Sequence, residues 1–115
     1  MKTRSLLFIL LAVVTAPTVI GGSALAAPDA ARGKEVVDQW CRKCHLRPGD
    51  PPSADMAPAY EDIVLLPGRD RRYFERFMKA DHFPMTTFCL FDREKADVIA
   101  YLLALQKAER AKGRE

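Results

Sequence analysis

Cys41-Arg42-Lys43-Cys44-His45 decides how this chain is read. The two cysteines stand three residues apart, which is about one helical turn, so their thiols can reach the same side of one large planar group. His45 follows directly and can present its imidazole to a metal at the centre of that group. Three cysteines are an odd number for a disulfide framework.

C-x-x-C-H is the attachment signal for c-type haem, in which two thioethers form and the histidine ligates the iron. The spacing predicts one haem c per chain, bound covalently through Cys41 and Cys44, with His45 as the proximal iron ligand. Three other chemistries fit the same residues less well. A zinc site needs four ligands, and Cys41, Cys44, Cys89 and a histidine reach that number. However, His45 beside Cys44 is awkward in one tetrahedron. A redox-active dithiol of the thioredoxin kind expects a βαβ setting, which the pattern does not show. A plain disulfide between Cys41 and Cys44 is the third.

N-terminal to the motif, Asp29 to Trp40 reads as a helix. Asp29 is placed to cap it, and Val36, Val37 and Trp40 fall at helical spacing. Gly33 costs about 1 kcal/mol relative to alanine in a helix, so its presence predicts a close crossing with another helix. Trp40 is expected to pack around the haem or at that crossing.

Further upstream, residues 1–26 read as a secretory signal peptide. Lys2 and Arg4 form a basic start, Leu6 to Val14 is apolar throughout, and Ala24-Leu25-Ala26 fits a small-residue cleavage site before Ala27. An uncleaved signal would instead anchor the chain in a membrane. Residues 27–115 form the single expected domain, with no later span of the roughly 20 apolar residues a crossing requires. Of 18 Lys and Arg, two lie in the signal, leaving 16 against 15 acids and a net charge of +1. That balance argues against nucleic-acid binding. Export predicts a periplasmic location, where bacteria attach haem covalently.

C-terminal to the motif, the prolines and glycine of residues 46–58 predict a loop. Ala59 to Leu66 reads as a short helix with Tyr60, Ile63 and Val64 inward, ended by Pro67-Gly68. Asp70 caps a further helix to Ala80 carrying Phe74, Phe77 and Met78. His82 to Phe91 reads as a loop. Asp92 is placed to cap the last helix, whose inward face is Val98, Ile99, Leu102, Leu103 and Leu105, with Tyr101 beside it. Lys107, Arg110 and Lys112 suit its C-terminal dipole, and Gly113 permits a stop. No strand pattern competes, so the fold class is all-α. An 89-residue domain has a small core, and a bound haem would extend it.

At Gly33, Val37, Cys41 to His45 and the run Ala96-Asp97-Val98-Ile99-Ala100-Tyr101-Leu102, nearly the whole domain resembles the small mono-haem class I c-type cytochromes of bacteria. Val37 stands where that family commonly has phenylalanine. The resemblance implies the class I cytochrome c fold, with the N- and C-terminal helices crossing at Gly33 and Tyr101. It implies that the Pro58 carbonyl accepts the His45 Nδ1 proton. It also implies Met85 as the distal iron ligand, although the usual Met-Pro order is replaced by Pro84-Met85-Thr86. His82 is the rival ligand. Met78 reads as core filler, and Met56 lies too close after the motif.

The implied activity is single-electron transport between redox proteins, such as a periplasmic dehydrogenase and a terminal oxidase or reductase. The carrier would be a monomer and not an enzyme. Two alternatives stay open: a haem subunit held permanently by a periplasmic redox enzyme, and a ligand-binding or sensing haem protein. Cys89 is left over and reads as a small buried residue or an intermolecular disulfide partner. Arg42, Lys43 and Lys79 are candidates for steering an acidic partner.

Overall fold

The computed structural model describes residues 26–80 and 90–114. Most of the signal segment lies outside them, as do His82, Met85 and Cys89. Among the described residues four helices follow in order: α1 (Ala30–Trp40), α2 (Tyr60–Ile63), α3 (Arg71–Lys79) and α4 (Asp92–Ala111). A 3-10 turn, Cys41–Lys43, continues α1 into the motif. Among the described residues there is no strand, and the domain is all-α. No helix among them is long and apolar enough to cross a membrane.

The helix starts follow local chemistry. The Asp29 side chain accepts from Ala31 N–H at 2.8 Å and Arg32 N–H at 3.2 Å. Asp70 accepts from Tyr73 N–H at 2.7 Å. Both satisfy amides that have no partner inside the helix. Asp92 does not cap α4 as expected. It is the first helical residue, and Phe91 occupies the cap position. Phe91 has no side-chain acceptor, so Glu94 reaches back instead and takes the Phe91 N–H at 2.8 Å. Gly113, at φ 78°, ends α4. Its N–H bonds to Arg110 C=O, and Arg114 N–H bonds to Glu109 C=O, which is the paired closure a left-handed glycine makes possible.

α1 packs on α4, and Gly33 explains how closely. A Cβ built on Gly33 would lie 2.0 Å from the Asp97 carbonyl oxygen, 2.4 Å from its carbon and 2.9 Å from Val98 N. The predicted crossing is therefore present. The backbone that Gly33 meets is Asp97–Val98, one turn before Tyr101, rather than Tyr101 as the family resemblance implied. The core beneath combines Val37, Tyr60, Val64, Phe74, Met78, Val98, Ile99, Tyr101 and Leu102. Met78 is core filler, as its spacing predicted. Trp40 is not at the crossing. It is 54% exposed, because Gly33 and Val37 already define the buried face of α1 and Trp40 stands off that face.

Among the described residues three carboxylates are buried: Glu61, Asp97 and Glu109. Each has cationic partners. Asp97 accepts the Asp29 N–H at 2.6 Å and pairs with Arg32 at 3.1 Å, which joins the cap of α1 to α4. Arg32 holds the Asp97 carboxyl below its ordinary range; burial works against that, and the Asp29 amide reinforces it. Glu109 bonds to Lys112 and Arg114, and these hydrogen bonds lower its carboxyl. Gln106 donates to Val64 C=O at 2.6 Å and Arg69 C=O at 2.8 Å, tying the chain between α2 and α3 onto α4.

Candidate functional site

The motif begins where α1 ends. Trp40 closes the helix, and the chain tightens into the 3-10 turn. Cys44 N–H and His45 N–H both bond to the Cys41 carbonyl at 3.1 Å. The two cysteines therefore sit across one turn, as the spacing predicted. Both are free thiols, Cys41 half-buried and Cys44 exposed.

His45 is held by a return of the chain. After the Pro-rich loop, Ala57 N–H bonds to Cys44 C=O at 2.7 Å, and Leu46 N–H bonds to Ala57 C=O at 2.9 Å. These bonds bracket His45 in a short parallel bridge to Ala57. The next residue is Pro58, and its carbonyl lies 2.7 Å from His45 Nδ1. A carbonyl only accepts, so Nδ1 carries the proton and Nε2 is the nitrogen with a lone pair for a metal. Burial lowers the His45 pKa, the Pro58 bond opposes that, and the Arg42 charge assists it. The neutral imidazole that a metal needs is thereby favoured. Tyr60 stacks on the His45 ring with centroids 4.3 Å apart and planes 26° from parallel.

The Cys41 thiol is not activated as a nucleophile. Burial pushes the Cys41 thiol up, with the nearby Tyr60 hydroxyl and Arg42 working against it. A catalytic dithiol wants a lowered pKa on its attacking thiol, and Cys41 does not have one. Among the described residues, no group of three or more His, Cys, Asp or Glu side chains converges as a metal site. The zinc alternative drew on Cys89, outside those residues.

Arg42 departs from expectation. Its side chain is 5% exposed, so it is no steering charge at the surface. Its guanidinium donates to Leu46 C=O at 2.7 Å and forks onto Glu61 at 2.7 and 3.2 Å. Burial alone would lower its pKa; the hydrogen bond and charge of Glu61 outweigh that and raise it. Lys43 is exposed and lies 4.9 Å from the Trp40 ring centroid. Lys79 is exposed at the end of α3. Sequence reasoning missed Glu61, whose partner stands 19 residues earlier. The alternation of charge and apolar residues around Tyr60-Glu61-Asp62-Ile63 carries no signal of which acid turns inward.

No family model matches the chain, and comparisons with curated proteins and with solved structures found no match.

The residues fit a c-type haem. Two free thiols one turn apart precede an imidazole whose Nδ1 is engaged and whose Nε2 is available. Cys41, Cys44 and His45 are brought together with Pro58. Met85, the proposed ligand for the opposite face, lies outside the described residues.

Proposed function

We propose that this chain is an exported mono-haem c-type cytochrome with the class I fold, carrying single electrons between redox proteins. The observation that carries the reading is the 2.7 Å contact between His45 Nδ1 and the Pro58 carbonyl. Metal-ligating histidines almost always spend their second nitrogen this way, which sets the tautomer and the ring's orientation. A random C-x-x-C-H would have no reason to be bracketed by a chain return 13 residues later.

In this reading Cys41 and Cys44 hold the haem by thioethers, and His45 Nε2 and Met85 ligate its iron. The bound haem supplies one-electron chemistry at its iron. The chain's work is to hold His45 neutral and oriented, to keep water away with the Tyr60 and Val37 side of the core, and to fix the ligands. The protein acts as a carrier, not as an enzyme, in the periplasm. Its partners are a dehydrogenase on one side and a terminal oxidase or reductase on the other.

An absorption spectrum of the exported protein tests this. The reduced protein should give a c-type spectrum that persists after denaturation and acid-acetone extraction. The oxidised protein should show the weak long-wavelength band of iron–methionine ligation, lost in Met85→Ala and kept in Met78→Ala. Extractable haem, or a colourless protein from a host equipped for haem attachment, would overturn the reading.

A further inference from the structure

Arg42 stands between the two motif cysteines, where nothing in the C-x-x-C-H pattern asks for a particular side chain. It is nevertheless among the most enclosed charges of the molecule, at 5% side-chain exposure, with Glu61 at 10%. Its contacts reach both sides of His45. One guanidinium nitrogen bonds to the carbonyl of Leu46, the residue following His45. The fork to Glu61 holds the start of α2, where the adjacent Tyr60 stacks on the His45 ring. The guanidinium carbon also lies 5.4 Å from the Tyr60 ring centroid.

We propose that Arg42 and Glu61 are positioning residues that lock the His45 segment and, as a compensated charge pair beside it, set the reduction potential of the bound haem. The inference rests on the haem reading above. Its physics is that of charge in a poorly screened interior. The two buried charges oppose one another at the haem site, and Asp38, 3.9 Å from Arg42 Nε but half-exposed, is more strongly screened. Removing Glu61 leaves a guanidinium that disfavours the more positive, oxidised iron, so the potential rises. Removing Arg42 leaves a carboxylate that favours the oxidised iron, so the potential falls. A role in packing alone would not separate the variants by sign. Loosening the loop and admitting water shifts every variant the same way.

The test is a redox titration of the exported holoprotein and of Glu61→Gln, Arg42→Gln, Arg42→Lys and the double variant Arg42→Gln/Glu61→Gln. Absorption spectra check that ligation is retained. A rise for Glu61→Gln, a fall for Arg42→Gln, a return toward wild type in the double variant and a smaller shift for Arg42→Lys support the proposal. Should Arg42→Gln fail to fold, a rise for Glu61→Gln that reverses in the double variant supports it equally. Shifts of one sign throughout, or no shift with haem attached, overturn it while leaving the haem reading intact. Absence of covalent haem from the wild type overturns both.

Discussion

Replacing Gly33 by alanine probes the helix crossing directly. The added Cβ would sit 2.0 Å from the Asp97 carbonyl oxygen, against 3.4 Å where ordinary contact begins, so the helices must part by about 1.4 Å. All three nearest atoms are backbone, so no rotamer change relieves the clash. A gap of 0.5–1 Å already forfeits roughly a quarter to a half of the dispersion energy between facing atoms. Overpacking a core commonly costs about 1–3 kcal/mol, and a rigid backbone clash belongs at or above the upper end. Alanine's better helix propensity returns about 1 kcal/mol. The net expectation is a loss of about 2–3 kcal/mol. For a domain of this size that is a fall of roughly 10–20 °C in melting temperature. Thermal unfolding of the exported protein, followed by circular dichroism, measures it. Ala31→Gly, on the exposed side of the same helix, serves as the control and should cost about 1 kcal/mol through propensity alone. If Gly33→Ala leaves the melting temperature unchanged or raises it, α1 and α4 do not cross as described.

Three further outcomes are expected. Asp97 has its carboxyl lowered on folding, so its contribution is complete above the unfolded value of about 3.9 and is lost as pH falls through the lower folded value. Asp97→Asn should therefore flatten the acid limb of stability in urea titrations between about pH 6 and 2; an equally steep limb in the variant would rule Asp97 out as its source. Gln106→Leu strands the Val64 and Arg69 carbonyls and should cost about 1–3 kcal/mol, seen as a lower urea midpoint at constant slope. Cys41→Ala and Cys44→Ala should each retain haem by one thioether and shift the reduced absorption maximum, whereas the double variant should lose haem on a denaturing gel.

The sequence announced the elements whose signals are local. Asp29 and Asp70 cap where a short acid followed by periodic apolar residues predicts a cap, and Gly113 stops α4 where a glycine follows a basic last turn. Gly33 betrayed a crossing because glycine in a helix is costly without one. Long-range pairings left no such trace. Arg42 and Glu61 are 19 residues apart, and each alone resembles an ordinary solvated charge; only the chain return at Ala57 and Pro58 brings α2 under the motif. Trp40 stands off the crossing for a related reason. Its helical spacing from Val36 and Val37 fits a place at the crossing, but the contacts at Gly33 and Val37 set the buried stripe slightly to one side. The Phe91 cap was hidden because Glu94, not the cap residue itself, supplies the acceptor.

The embrace of α1 by α4 also dictates an order of events. Asp29 and Asp97 meet across 68 residues, a loop whose closure entropy must be met before any contact rewards it. During synthesis, α1 has no partner until nearly the whole chain has emerged. Cys41, Cys44 and His45 therefore spend that interval on an unclosed polypeptide. On the haem reading, this interval is when attachment enzymes find the thiols most approachable. A chain ending before Asp92 would lack the helix that Gly33 and Asp29 pack against.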